Sequence, residues 1–304
     1  MELFGLLSAF VEAGCTSAVM EVSSHAAVQG RVEGIEFDVG VFTNITRDHL
    51  DYHETFGKYL DAKEVFVRSL STASRKKKKG AFVYNLDDER LRPVAQRYGS
   101  GAISFGRSGK ADFRASDIKA DLGGTRFRLS SPYGEVDISM SLLGGFTVYN
   151  ALAAAAAASA MSAGLERIKE GLEKVDSVPG RFEVIRGGGR VVIVDYAHTP
   201  DALENLLEFC RELGPRRLVT VFGCGGDRDR GKRPEMGAIA GRLSDRVIVT
   251  SDNPRSEDPS SIIDEVKTGI APGTEAEGSV DRAVAIRSAI EDSMPGDLVV
   301  IAGK

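Results

Sequence analysis

The sequence predicts an α/β protein of two domains, each a mostly parallel sheet packed with helices, the first carrying an antiparallel hairpin region. Three observations lead there. Four apolar, β-branched runs, "RVVIVDYA" (190–197), "RLVTVFG" (217–223), "RVIVTSD" (246–252) and "DLVVIAG" (297–303), alternate with four amphipathic stretches. That is the pattern of buried strands joined by right-handed helical crossovers. Residues 112–142 instead alternate apolar and polar residues around "LGG" and "SPYGE", as antiparallel hairpins do. The length, 304 residues, exceeds what one ordinary core organises.

The elements follow in order. A helix at "ELFGLLSAFVEAG" precedes a strand at "SAVMEVS" (17–23). A second strand, "FDVGVFTNI", precedes a helix around 55–70, and "GAFVYNLDDE" is a third strand with its terminal loop. Alanine-rich "NALAAAAAASAMSAG" (150–164) reads as a helix stopped by Gly164. Pro179 and Gly180 in "SVPGR" interrupt the pattern, which divides the chain into domains at 1–178 and 179–304. The second domain reads as Rossmann-like.

Composition excludes several classes. A net charge of −5 gives no general attraction to nucleic acid or an anionic membrane. The lysine run "SRKKKKG" (74–80) lacks interleaved aromatics and reads as a solvated loop. No apolar run reaches membrane-spanning length. Cys15, Cys210 and Cys224 are widely spaced and fit neither a disulfide framework nor a zinc site, so a reducing cytoplasm is expected.

Ligands of parallel sheets bind at the carboxyl ends of the strands. "DYAHTPD", "FGCGGDRDRGKR" and "SDNPR" all begin there, and His25, His49, His53 and His198 lie in strand-end segments. "TNITRDHLDYH" packs Asp48, His49, Asp51 and His53 into six residues. This suits Mg²⁺ completed by phosphate oxygens, or a helix cap from Thr46 or Asp48. In "MEVSSHAAVQGR", Glu21 offers a second Mg²⁺ ligand, while Ser23, Gln29 and Arg31 suit an anionic substrate. "GDRDRGKR" (226–233) follows the phosphate-loop pattern through Lys232, but Arg233 replaces the required Ser or Thr. Asp227 and Asp229 would also repel phosphate.

The ordered set "EVSSHAAVQGR", "VFTNITRDHLDYH", "YLDAKE", "NLDDE", "GGFTVYN", "VPGRFE", "VDYAHTPDALE", "FGCGGDRDRGKRP", "SDNPR" and "IAGK" resembles the Mur ligases, and among them the MurE type. The resemblance runs from about residue 3 to the last residue. It implies a central ATP-binding ligase domain followed by a Rossmann-like amino-acid-binding domain. It also implies ATP-dependent addition of meso-diaminopimelate to UDP-N-acetylmuramoyl-L-alanyl-D-glutamate, through an acyl phosphate, in peptidoglycan synthesis. ATP is a substrate and Mg²⁺ the cofactor, and a monomer is expected.

Residue roles follow from the same resemblance. Lys63 matches a carbamylated lysine, and Glu21 and His49 match metal-binding positions. Ser23, Gln29 and Arg31 match contacts to the UDP-muramyl dipeptide. Asn150, Arg181 and Asp195 match nucleotide-facing positions, although Thr147 stands where the family often has Asn. Loop 226–233 then looks like an amino-acid loop. Arg228, Asp252, Asn253, Arg255 and Gly303 match diaminopimelate contacts, with a guanidinium suited to the distal carboxylate that lysine lacks. Rivals are a folylpolyglutamate or cyanophycin type of ligase, and a non-catalytic module retaining amino-acid binding.

The sequence contains no "GT-x-GKT" stretch ahead of "EVSSH", and it stops at "AGK", where relatives continue into "GHE". It therefore reads as an internal fragment. Backbone amides and a loop lysine normally cradle the β- and γ-phosphates. The 304-residue chain is accordingly expected to release phosphate from ATP, and to ligate, poorly or not at all. Turnover at the rate of a full-length relative would overturn this.

Overall fold

The computed structural model describes residues 2–45, 53–71 and 79–303. Thr46, Asp48, His49 and Asp51 lie outside the described residues, as does most of the lysine run. The chain forms two compact units, Met1–Ala111 with Ala156–Ser162, and Asp112–Ala155 with Ala163–Lys304.

In the first unit, α1 (Glu2–Glu12) and α2 (Ser24–Val28) precede β1 (Val39–Phe42), α3 (Phe56–Ser71), β2 (Ala81–Asn85), α4 (Leu91–Tyr98) and β3 (Ala102–Gly106). The three strands pair in parallel, in that order. Phe42, Tyr59, Val67, Leu70, Phe82, Leu91 and Tyr98 form the core. Gly40 lets α3 approach β1: a Cβ there would stand 2.5 Å from Leu70. The strand expected at 17–23 is absent, and Val19 is fully exposed. An apolar run becomes a strand only with a hydrogen-bonded neighbour, and β1 pairs there with β2 alone.

The hairpins expected in the first domain form, but they fall in the second unit. β4 (Phe113–Asp121), β5 (Gly124–Ser131) and β6 (Gly134–Met140) pair antiparallel. Helix α5 (Thr147–Ala160) starts and stops three to four residues ahead of the expected 150–164, and α6 (Leu165–Glu173) follows Gly164. Next come β7 (Glu183–Gly187), β8 (Arg190–Asp195), α7 (Pro200–Glu212), β9 (Arg217–Phe222), α8 (Lys232–Leu243), β10 (Arg246–Thr250), α9 (Pro259–Lys267), β11 (Glu275–Ser279), α10 (Arg282–Glu291) and β12 (Asp297–Ala302).

Their sheet runs β11-β10-β9-β12-β8-β7, parallel except for edge strand β7. The last strand fills the gap between β9 and β8, so the chain reverses direction across the sheet. Both faces are therefore covered. Leu218, Phe222, Val247, Val249, Leu298 and Val300 pack with Leu203, Leu207, Met236 and Ile262 of α7, α8 and α9. The alternate residues Val219, Val221, Ile248, Val299 and Ile301 pack with Ala285 and Ala289 of α10. This double burial is why the strands read as unbroken apolar runs. Thr199, Asp258 and Asp281 accept backbone N–H bonds as caps of α7, α9 and α10, which sets where each strand-end loop stops.

Helices α8 and α9 meet backbone to backbone. A Cβ on Gly237 would fall 2.0 Å from Val266 O. Gly237→Ala should gain about 1 kcal/mol of helix propensity, yet the overlap dominates, and a net loss of about 2 kcal/mol or more is expected in urea unfolding.

Candidate functional site

The carboxyl ends of β8, β9, β10 and β12 gather four loops of the second unit. Two of them, 223–231 after β9 and 251–258 after β10, are bonded to each other along their length. Gly226 N donates to Asn253 O (2.9 Å). Asp227 N donates to Glu257 Oε1 (2.6 Å), and the Asp227 carboxylate accepts from Ser256 N (3.1 Å) and Ser256 Oγ (2.7 Å). Arg255 Nη1 donates to Gly226 O. A Cβ on Gly226 would lie 1.9 Å from Pro254 O, so only glycine permits the contact. Asp227 (φ 51°) and Arg255 (φ 52°) both adopt the left-handed backbone, at about 1–2 kcal/mol each for residues with a Cβ.

Beneath the loops, Arg233 is fully buried (0% exposed). Its Nη1 donates to Glu257 Oε2 (2.9 Å) and Glu265 Oε2 (2.7 Å). Its Nη2 donates to Glu257 Oε1 (2.7 Å) and Gly225 O (3.4 Å). Arg230 pairs with Glu265 from outside. The sequence shows only that Arg233 disqualifies a phosphate loop; the structure gives it a positive task, tying the start of α8 to the β10 loop and to α9. The Arg233 guanidinium and the Asp227 amide hold the Glu257 carboxyl down, to about 2. The two carboxylates in turn raise the pKa of Arg233.

The residues expected to read an amino acid surround this knot. Arg228, Asp252, Asn253 and Arg255 are exposed. Arg228 has no hydrogen bond or ion pair among the described residues, and Arg255 has only the one to Gly226 O. Gly303 (φ 81°) donates its N–H to Asp195 O (3.0 Å). Asp195, expected to face a nucleotide, uses both carboxylate oxygens on backbone: Oδ2 accepts from Phe182 N and Oδ1 from Ala197 N, each at 2.8 Å. Exposed Arg181 lies over the Tyr196 ring at 4.6 Å, and Tyr196 meets His198 edge-on at 4.7 Å. His198 Nδ1 carries its proton, since it bonds Tyr196 O at 2.9 Å. Lys232 Nζ donates to His198 O (3.1 Å), joining this loop to α8. Burial pushes the Cys224 thiol up to about 11, so no thiolate nucleophile is present there.

Asn150 is exposed on α5. In the first unit, Ser23 caps α2, accepting from Ala26 N at 3.1 Å. Glu21, Gln29 and Arg31 are exposed. Lys63 is half-buried, with its Nζ 5.2 Å from the Tyr59 ring centroid. His53, buried, bonds Ser24 Oγ through Nε2 (2.9 Å), and its ring stands 5.4 Å from those of His25 and Tyr59. His25 and His53 therefore stand together, with the Ser24 hydroxyl beside Ser23 as the partner of His53. Among the described residues, no three His, Cys, Asp or Glu side chains converge as a metal site, and His49 lies outside them.

Two consecutive α/β modules, with loops gathered at the strand ends of the second, define the class. The chain belongs to the Mur ligase family: the Mur ligase middle domain matches residues 1–158, and the Mur ligase glutamate ligase domain matches residues 180–304. It is 45% identical over 300 residues to the UDP-N-acetylmuramoyl-L-alanyl-D-glutamate–2,6-diaminopimelate ligase of Geobacillus kaustophilus, covering 97% of this chain and 60% of that protein. The Thermosynechococcus vestitus ligase of the same name is 46% identical over 302 residues, covering 98% and 60%. A solved structure of such a ligase, 38% identical, superposes with a TM-score of 0.68 over 100% of this chain and 62% of its own. The ADP complex of Thermotoga maritima MurF, 20% identical, shares the fold (TM-score 0.73) over 93% and 62%. The chain thus spans about 60% of the curated relatives it matches.

The lowered Glu257 pKa has a pH consequence. A carboxyl depressed from its ordinary 4.5 to about 2 contributes stability that is complete above pH 4.5 and lost as pH falls toward 2. Glu257→Gln should abolish that share: the stability difference between wild type and variant, from chemical denaturation, should shrink steadily below pH 4.5. A difference constant down to pH 2.5 would contradict the ion pair.

Proposed function

We propose that the chain is the catalytic and amino-acid-binding part of an ATP-dependent, ADP-forming ligase. That ligase as a whole joins meso-diaminopimelate to UDP-N-acetylmuramoyl-L-alanyl-D-glutamate. The working division falls at 178/179, with residues 1–178 serving ATP and the muramyl dipeptide and residues 179–304 the amino acid. The observation that carries the reading is the bonded pair of loops, "GGDRDRGKR" against "SDNPR", which leaves Arg228 and Arg255 exposed at the carboxyl edge of the sheet. A guanidinium with donors to spare suits a distal carboxylate; a lysine side chain would offer it only like charge.

In the proposed reaction, the D-glutamate γ-carboxylate attacks the terminal phosphoryl group of ATP and ADP leaves. The amine of diaminopimelate then attacks the acyl phosphate, phosphate leaves, and the amine proton passes to solvent. Glu21, His49 and Lys63 as its carbamate would hold Mg²⁺. The carboxylate and carbamate oxygens fit this hard ion, with the His49 imidazole as a softer third donor, and the set leaves sites for phosphate oxygens. When bound, it would neutralise charge on the transferring phosphoryl group. Ser23, Gln29 and Arg31 orient the muramyl dipeptide. Asn150 and Arg181 face the nucleotide, and Asp195 serves by fixing the turn between Arg181 and Tyr196. Catalysis of this type is mainly placement of two reactants. The proposal includes a cytoplasmic monomer, and the three free cysteines agree with a reducing compartment. No helix among the described residues is long and apolar enough to cross a membrane.

Calorimetry with meso-diaminopimelate and L-lysine tests the assignment. Wild type should prefer diaminopimelate. Arg255→Ala should weaken diaminopimelate about 10- to 100-fold, the worth of a charged hydrogen-bonded pair, and leave lysine unchanged. Retention of the preference in the variant would refute the role of Arg255.

A further inference from the structure

Arg255 keeps one N–H on Gly226 O, and among the described residues its other donors have no partner. Of the five N–H groups of a guanidinium, the remainder are aimed by that single tether. The position of Gly226 O therefore decides where the free edge of Arg255 points. That carbonyl belongs to a loop anchored by its bonds to 251–258, among them those from Ser256 N and Oγ to the Asp227 carboxylate. Gly226 N is held by Asn253 O, and the next amide, Asp227 N, by Glu257 Oε1. Glu257 in turn is gripped by both Nη atoms of buried Arg233, which also reaches Gly225 O. The path is short and continuous: Arg233, Glu257, Asp227 amide, Gly226 carbonyl, Arg255.

Two further facts separate placement from mere stability. Buried ion pairs are often replaceable by well-packed apolar side chains without loss of stability, so burial alone does not explain Arg233. And the two non-glycine residues with φ near 50° in these loops, Asp227 and Arg255, are the two that the path connects. Strain of this kind persists where surrounding contacts over-determine the backbone, and it concentrates at ligand clamps.

We infer that Arg233 and Glu257 are positioning residues for recognition. They set the direction of the Arg255 guanidinium, and so the selectivity for an α-amino acid bearing a second, distal carboxylate. This rests on the diaminopimelate reading above. Neither side chain touches the ligand; both act through Gly226 O.

The test is calorimetry of the 304-residue chain with meso-diaminopimelate and with L-lysine, each variant held well below its own melting temperature. Arg233→Lys keeps the charge and loses the fork; Glu257→Ala removes the hub; Glu257→Gln, the mildest, keeps an acceptor for Asp227 N. Ile239→Val, in the core face of α8 away from the knot, is the destabilised control. Arg233→Lys and Glu257→Ala should each bind diaminopimelate at least about tenfold more weakly with lysine unchanged, so that the preference collapses. Glu257→Gln should retain part of it, and Ile239→Val all of it. If the first two variants do not fold, a Glu257→Gln ratio equal to wild type overturns the inference. So does an unchanged ratio in Arg233→Lys or Glu257→Ala. A wild-type chain without preference overturns the diaminopimelate reading itself, and this inference with it.

Discussion

A single buried cation organises the loops at the carboxyl edge of the second sheet. Arg233 has no exposure, and a guanidinium in that position must be met by acceptors or it would not be buried at all. Glu257 and Glu265 meet it, and they come from different elements, the β10 loop and helix α9. The electrostatic requirement of one side chain therefore closes three segments on each other. The left-handed turns at Asp227 and Arg255, the glycine contact at Gly226, and the exposure of Arg255 all presuppose that closure.

The loop after β8 is built by another route. Asp195 spends both oxygens on backbone amides, so the entry from the linker into β7 and the turn after β8 are braced by one carboxylate. The stack of Arg181, Tyr196 and His198 stands on that brace. Lys232 ties the same loop to the start of α8, one residue before Arg233. In the first unit the comparable brace is neutral, a buried Ser24–His53 bond beneath Ser23. In each place, a buried or part-buried polar contact sets the local backbone.

The same arrangement explains why short motifs mislead. "GDRDRGKR" approaches a phosphate loop in spelling, yet its first glycine serves loop-to-loop contact, its second donates to Asp229 within the loop, and its last arginine is buried among acceptors. A phosphate loop needs successive amides pointing into open space. Here the Asp227 and Gly226 amides are already taken by Glu257 and Asn253.

Much of the fold was legible in the sequence. The strands β8, β9, β10 and β12 are covered on both faces, and double burial leaves a signal in composition alone. The hairpins β4 to β6 were legible through their period of two. Edge strands β7 and β11 were not, because half-exposed strands such as "EAEGS" need no apolar run. The 17–23 segment looked like a strand, since composition reports β propensity but not the presence of a pairing partner. By itself, the sequence determined the class, the order of the loops at the strand ends and the residue types those loops carry. Only the tertiary structure decided which of those side chains stay exposed and which are consumed internally. Arg233 and Arg255 are chemically the same, and their opposite fates depend on acceptors 24 and 32 residues away from one and 29 from the other. Distances through space of that kind are fixed by sheet order and helix packing, which no local pattern encodes.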